Sequence, residues 1–432
     1  MKNITITILL VSTLASFAKG KVVESRTANV TVPIEENQKL TLNMKNTELK
    51  VEAWDKNEVA IEATVRLHNT MTDKRAQFLD NWQSYVERAV SSSSYGVKVS
   101  SALEETKEIN KKTFLGMVVS VSVNVDKAYD IIYHIKVPAE NALEIEGSYE
   151  DVSLIGDFKK LELDLYSADF DADNLIDANL ELKYGSASIK TIKEANITLY
   201  ENELEAQQIG SLDLKTKYSE IEIGKIGALE LDSYESDFVF DVTSGIEGII
   251  KYGKLEVVTR IKSMDVELYE VDLKLGEVEE VKMRSKYSSL IANAIGTLEL
   301  ESSYEDEFEI DLLGSLESRE SKYGDYTIDR LTDSFELEGY EDDVRIDAVE
   351  RTASDIKLGG KYIETTIELE DVPVFLEINT TYGDFSYDES AMETTKIIKE
   401  GSKKQITAKT KGIGETGLKI EVTGYEMDLD LD

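Results

Sequence analysis

Apolar and polar residues alternate with period two in short runs from about residue 145 onward, as in Leu161-Glu-Leu163, Leu212-Asp-Leu214 and Ile221-Glu-Ile223. Such alternation predicts strands with one buried face. Between the runs stand tyrosines at 149, 166, 184, 200, 218, 234, 252, 269, 287, 304, 323 and 340, with 16 to 19 residues from each to the next, and more loosely at Tyr362 and Tyr382. Self-similarity near a period of 17 is the mark of a solenoid, in which no repeat buries its own apolar face and neighbours stack to do so. No helical periodicity interrupts the stretch. The expected fold class is all-β, a right-handed parallel β-helix or solenoid, the hand following the preference of parallel crossovers.

The repeats are of two alternating kinds. In one, Lys-Tyr is followed by Gly, Ser or Ile, as at Lys183-Tyr184, Lys217-Tyr218, Lys251-Tyr252, Lys286-Tyr287, Lys322-Tyr323 and Lys361-Tyr362. Apolar residues then fall three, five and eight places after the tyrosine, as with Ile221, Ile223 and Ile226 after Tyr218. The other kind reads Tyr-Glu-x-acid at Tyr200, Tyr234, Tyr269, Tyr304 and Tyr340, with Tyr-Ser-x-acid at Tyr166. Its apolar residues fall at four, six and nine, as with Phe308, Ile310 and Leu313 after Tyr304. A slightly larger turn or a β-bulge would produce that one-residue offset.

Two coil sizes fit the pattern. A coil of about 35 residues stacks like on like, which suits loops of alternating size. A coil of about 17 brings unlike repeats together and separates equivalent charges by two rungs, about 9.6 Å at the usual strand spacing. The longer coil would hold like charges one rung apart, at roughly 1 kcal/mol per pair even in water. The shorter coil is the expectation.

Residues 19–140 read differently. Val23–Val32, Lys39–Val51, Val59–Leu67 and Ala128–Val137 look like strands, while Phe78, Trp82, Tyr85 and Val86 within Thr72–Val90 are spaced for one helix. This predicts a small β-rich N-terminal cap domain, ending near Pro138, where proline closes a strand. The solenoid is then expected over 141–390 and a C-terminal cap over 391–432, since a solenoid end needs a polar cover. Residues 1–18 combine Lys2, an apolar run from Ile4 to Leu14 and small residues at Ser16 and Ala18. That is the layout of a signal peptide, and the run is too short to span a membrane.

Composition narrows the function. With 86 Asp+Glu against 48 Lys+Arg the net charge is -38, which disfavours nucleic acid and anionic lipid as partners. The chain has no cysteine and two histidines, which removes thiol chemistry, disulfides and most histidine-based catalysis. Without a cysteine after the leader, lipid anchoring by the lipoprotein route is excluded as well. His68 and His134 both fall in or near predicted strands and read as core-edge residues.

The segment Asn46-Thr-Glu-Leu-Lys-Val-Glu-Ala-Trp-Asp-Lys-Asn-Glu-Val-Ala-Ile-Glu-Ala63 resembles the entry motif of the bacterial putative-adhesin family, in which a strand, a Trp-Asp turn and a second strand lead into a β-helix. The Val137-Pro138 step and the short repeats beyond it are similar to the same family. The resemblance implies an exported β-helical protein of an adhesin-like class. Where that family carries Ser-Gly-Asp at the turn, this chain carries Lys-Tyr-Gly/Ser and Tyr-Glu-x-Asp.

Candidate ligand-binding residues are the tyrosines Tyr200, Tyr234, Tyr269, Tyr304 and Tyr340 and the acids three places on, Glu203, Asp237, Asp272, Glu307 and Asp343, with Asp169 in the same position after Tyr166. An aromatic row would stack on sugar rings; an acidic row would line a cation edge only if acids from neighbouring coils converged, because calcium takes six to eight oxygens. The competing reading is structural, with the tyrosines covering the core edge and the acids forming a solvated face. Tight turns throughout leave no long-loop cleft for catalysis, so no catalytic residue, metal site or cofactor is expected. The function expected is that of an exported, non-enzymatic, adhesin-like binding or scaffold protein located in the periplasm, at the cell surface or outside the cell. Its partner would be a cell-envelope protein or glycan. The alternatives are a cation-stabilised envelope protein and, further off, a polysaccharide-acting β-helix enzyme.

Overall fold

The alternating runs form the legs of stacked coils, each burying its apolar positions against the coils above and below. In this computed structural model, which describes residues 21–101, 113–114, 117–118, 128–149, 151–369, 371–413 and 417–431, all described strands but the short pair Thr113–Phe114 and Met117–Val118 join one continuous 22-stranded sheet wound into a solenoid. The signal peptide expected over 1–18 lies outside the described residues. Ile221, Ile223 and Ile226 are buried, while Glu220 and Glu222 between and before them face out.

Coils stack in parallel, and from Tyr149 onward each carries one tyrosine at or next to its corner. Glu203 pairs with Glu220 and Asp272 with Ser289, 17 residues apart, whereas Ser289 pairs with Glu307, Glu307 with Asp325 and Asp325 with Asp343, 18 apart. The short coil is therefore the observed one, and unlike repeats are neighbours. One coil is longer, Lys357 reaching Glu336 across 21 residues. Where adjacent backbones come closest only glycine fits: a Cβ on Gly227 would lie 2.0 Å from the Gly210 carbonyl oxygen.

The offset between the two repeat kinds is not a larger turn. Every coil bends at one residue in the left-handed region, and that residue is the tyrosine itself at Tyr184, Tyr218, Tyr252, Tyr287, Tyr323 and Tyr362, but the residue after it at Glu201, Glu235, Glu270, Glu305 and Glu341. Counted from this corner, the buried positions coincide: Ile221 and Ile223 lie three and five after Tyr218, Phe308 and Ile310 three and five after Glu305. Backbone bonds confirm the equivalence, with Tyr218 N donating to Tyr234 O at 3.1 Å and Glu305 N to Lys322 O at 2.9 Å. The corner stays in register while the tyrosine moves by one place.

At the N-terminal end, Lys39–Lys45 and Glu48–Trp54 form a coil of their own. They stack in parallel beneath Leu143–Ser148 and Asp151–Tyr166, with Asn46 as the left-handed corner. Their other side pairs with Gly96–Ser100 and Tyr129–Pro138, and antiparallel strands Glu58–Leu67 and Glu24–Pro33 complete the end. The helix expected over Thr72–Val90 is two helices, Asp73–Asp80 and Trp82–Ala89. They break at Asn81, which leaves the helical region (φ -96°, ψ 5°) and turns its amide back onto the Gln77 carbonyl. Trp82 is buried and donates to the Ala63 carbonyl at 2.8 Å, fixing the helices to the sheet.

At the other end, chain order and stacking order part. Asp355–Ile367 pairs with Leu418–Leu431, and only beyond it lies Val374–Thr381. The hairpin Met392–Glu400 and Lys403–Thr410 adds antiparallel strands to the outer edge of Val374–Thr381.

Candidate functional site: an external tyrosine ladder

The alternation of corners places the tyrosines of successive coils in two adjacent columns, so that consecutive rings meet at an angle. Fifteen tyrosines run in spatial order Tyr149, Tyr166, Tyr184, Tyr200, Tyr218, Tyr234, Tyr252, Tyr269, Tyr287, Tyr304, Tyr323, Tyr340, Tyr362, Tyr425 and Tyr382. Ring centroids are 5.2–5.8 Å apart and ring planes cross at 67–85°. Edge-to-face contact is the favoured geometry of aromatic pairs, worth about 0.5–1.5 kcal/mol each beyond burial. A rung spacing of about 4.8 Å would force identical tyrosines in one column towards a face-to-face stack; moving every second ring by one residue avoids it. These contacts help hold non-glycine residues in the left-handed region, which costs about 1–2 kcal/mol apiece.

The columns also carry charge. Lysine and tyrosine alternate in one, Lys217 pairing with Tyr234, Lys286 with Tyr304, Tyr304 with Lys322 and Lys322 with Tyr340. In the corner column tyrosine alternates with glutamate. Like charges are thus two rungs apart. The predicted tyrosines Tyr200, Tyr234, Tyr269, Tyr304 and Tyr340 are half-buried, and their hydroxyls are held above the usual phenol range. Desolvation is the first cause at Tyr200, Tyr234 and Tyr269, and the adjoining Glu305 or Glu341 carboxylate at Tyr304 and Tyr340.

The predicted acids Asp169, Glu203, Asp237, Asp272, Glu307 and Asp343 are all exposed and share one column. Three of them tie coils together: Asp169 accepts from Ser186 N at 3.1 Å, Asp237 from Lys254 N at 3.0 Å and Asp272 from Ser289 Oγ at 3.2 Å. Further on the column is acidic on every coil, Glu307–Asp325–Asp343–Glu364–Asp428. Desolvation and the neighbouring Asp325 hold Asp343 above the usual carboxylate range. Among the described residues no group of three or more His, Asp or Glu side chains is placed to hold a metal ion. A shallow groove between ladder and acid column brings Asp237 and Asp272 together with Tyr218, Tyr252, Glu235 and Glu270; Tyr234 and Tyr269 are not part of its lining. Along the rod axis each interior ring has both neighbouring positions filled, and only Tyr149 and Tyr382 end the row.

Two features escape a reading of the repeat alone. Tyr425 belongs to the ladder, and its motif Tyr425-Glu-Met-Asp428 repeats Tyr-Glu-x-acid. Behind the corner lies a buried polar column. Asn202 N donates to Ser219 Oγ and Ser219 N to Ser236 Oγ, both at 3.2 Å. Lower down, Asp306 accepts from Ser285 and Ser303 hydroxyls at 2.7 Å and from Ser288 N at 2.8 Å, and Asp342 from Ser321 Oγ at 3.0 Å and Gly324 N at 2.7 Å. Burial pushes the Asp306 carboxyl up and that of Asp342 up to about 6, against the opposing pull of these bonds. The recurring small polar residue two places after Tyr200, Tyr234, Tyr304 and Tyr340 was its signal.

His68 and His134 each meet a carboxylate, Asp130 at 2.6 Å and Glu52 at 2.8 Å, at the margin of the N-terminal strands. Among the described residues no helix is long and apolar enough to cross a membrane.

No protein-family model matches the chain, and no curated protein matches it. Among solved structures, a "putative cell adhesion protein" from Clostridium sporogenes is similar at 9% identity, covering 94% of this chain and 100% of that one, with a TM-score of 0.15. A superposition that poor lends weight to neither fold nor role.

Proposed function

We propose that the chain is an exported, non-enzymatic, adhesin-like rod of the cell envelope that binds or organises a partner through its ladder face, as the resemblance of its Asn46–Ala63 segment to adhesin-like β-helix proteins implies. In this reading residues 1–18 are a cleaved leader, the antiparallel N-terminal strands with their helices and the hairpin Met392–Glu400/Lys403–Thr410 close the ends, and the coils between, residues 39–54 and Leu418–Leu431 among them, form the rod. The observation that carries it is the regular alternation, along one side of the rod, of a Lys-Tyr coil whose tyrosine is mostly exposed with a Tyr-Glu coil whose tyrosine is half-buried. A partner contacting several coils at once gains avidity from weak single contacts, and the negative field favours basic proteins or cation-bridged glycans. The test is a binding screen of the mature chain against glycans and envelope proteins, with and without calcium. Binding lost on replacing Tyr200, Tyr234, Tyr269, Tyr304 and Tyr340, yet kept on neutralising Glu203, Asp237, Asp272, Glu307 and Asp343, supports recognition by the aromatic row. Hydrolysis of any glycan would overturn the non-enzymatic reading. Acids on successive coils from Glu307 to Asp428 favour a second reading, a cation-stabilised structural protein; a melting temperature that rises with calcium, without partner binding, would select it.

A further inference from the structure

Display of a repeated motif needs tyrosines at regular spacing, but it does not need them to touch. Here every ring touches the next, without a gap, over fourteen rungs or roughly 67 Å at the usual strand spacing. Continuity survives even where the chain leaves the stack and returns, because Tyr425 fills the place between Tyr362 and Tyr382. A carboxylate stands beside the row on every second rung, at the corner residues Glu201, Glu235, Glu270, Glu305 and Glu341, each next to its tyrosine. The chain has no cysteine, the side chain that would most readily quench a phenoxyl radical. Its two tryptophans lie off the row, Trp82 bonded to the Ala63 carbonyl and Trp54 to that of Glu58.

We propose that the tyrosine ladder conducts single oxidising equivalents along the rod, from a one-electron oxidant at one end to an acceptor of the radical at the other. The oxidant is of the class of high-valent metal centres. It takes one electron from an exposed phenol, whose O–H bond breaks as the proton passes to the adjoining carboxylate, leaving a neutral phenoxyl radical and a carboxylic acid. The next phenol, which stands between two of these glutamates in the corner column, gives an electron to the radical and its proton to one of those carboxylates. The first oxygen recovers one of each, so that only the position of the radical changes. The path ends when a phenol or thiol reductant donates a hydrogen atom, or when two radicals on separate rods join through their ring carbons and tautomerise to dityrosine. Edge-to-face contact at 5.2–5.8 Å keeps each transfer between touching rings. The proposal stands apart from the binding reading and does not need it.

The experiment uses the full chain carrying Lys45→Cys, a unique thiol beside the Tyr149 end, since Lys45 pairs with Ser148. A ruthenium polypyridyl complex is tethered there and photo-oxidised in the presence of a nitroso spin trap, and trapped tyrosines are mapped by mass spectrometry. Adducts at Tyr425 and Tyr382 are expected, and adducts confined to Tyr149 and Tyr166 would overturn the proposal. In Tyr252→Phe/Tyr269→Phe the rings remain but two phenols are gone; adducts should gather on the tether side and be lost from Tyr287 onward, and persistence at Tyr382 would overturn the path. Should that variant melt early, Glu235→Gln/Glu270→Gln keeps every ring and should also lose far-end adducts, undiminished transfer refuting the assigned proton acceptors. Tyr95→Phe, off the ladder and 87% exposed, should change nothing; far-end loss there would mean that the radical does not travel by the ladder. Isotope-labelled chain without the tether, mixed in, should stay unmodified, and adducts on it would show diffusion in place of conduction.

Discussion

The middle of the rod and its C-terminal end keep the same ladder by different means. From Tyr166 to Tyr340 the two repeat kinds alternate along the chain, so neighbours in sequence are neighbours in space. After Tyr362 the next tyrosine in sequence is Tyr382, which bends at its own corner as Tyr362 does (φ 64° and 59°). Stacked directly, the two rings would share a column. Instead Tyr425 lies between them, with Glu426 as its corner residue, and restores the alternation. Alternation is therefore a demand of ring packing and charge spacing, and not merely what tandem duplication of a pair of repeats leaves behind.

The largest expected effect separates the two regions by their neighbours. Ile223→Asp buries an unpaired charge between coils on both sides and should unfold the middle of the rod, because each coil relies on the next. The matching change Ile420→Asp should loosen only the last coils; hydrogen exchange over 203–260 and over 355–431 would tell them apart, and equal damage in both would refute the difference. Second, mild acidification should act first on the later coils. A carboxyl whose folded pKa is raised, like Asp342 at about 6, weakens the fold when ionised. Stability should therefore rise as pH falls from 7 through 6 towards 4, by up to roughly 3 kcal/mol. Asp342→Asn should flatten that slope, while the uncharged column at Ser219 and Ser236 stays indifferent. Below about pH 4.5 the trend should reverse, as Glu162 and Asp355, held low by Lys39 and Lys357, become protonated. Third, exchanging Tyr425 and Glu426 would put three tyrosines in one column and should cost roughly 1–3 kcal/mol through two edge-to-face contacts, read as a lower melting temperature. The smallest effect is expected from Glu222→Gln, an outward residue of the middle coils, which should shift melting by about 0.5 kcal/mol or less.

How far the sequence reveals this depends on which residue one counts from. The period near 17, the strands and the inward set such as Ile221 and Ile223 follow from alternation alone. The short coil follows for the lysine and glutamate columns of the ladder, where like charges stand two rungs apart, but not for the acid column, where Glu203 pairs directly with Glu220. The corner does not, because its left-handed residues are tyrosine and glutamate, and glycine, the usual sign of that backbone, is missing from it. Counting from the tyrosine makes two equivalent bends look like loops of different size. The tyrosines themselves are visible as a row, but their mutual contact depends on the one-residue shift between columns. Tyr425 carries the full Tyr-Glu-x-acid signature and stays hidden because its place in space precedes that of Tyr382. The break at Asn81 is a local event that helical spacing of Phe78, Trp82 and Tyr85 does not register.

The inserted strand Leu418–Leu431 also governs how the rod can be made. Coils up to Asp355–Ile367 can be laid down in the order of synthesis, each on the one before. Val374–Thr381 cannot, since the surface it rests on is supplied by residues that emerge later. The strand Leu418–Leu431 is thus a keystone, held between Asp355–Ile367 on one side and Val374–Thr381 on the other. A chain clipped after the hairpin would carry two raw strand edges at once, which marks it for aggregation or proteolysis. The tyrosine row is therefore continuous only once Leu418–Leu431 has taken its place and brought Tyr425 between Tyr362 and Tyr382.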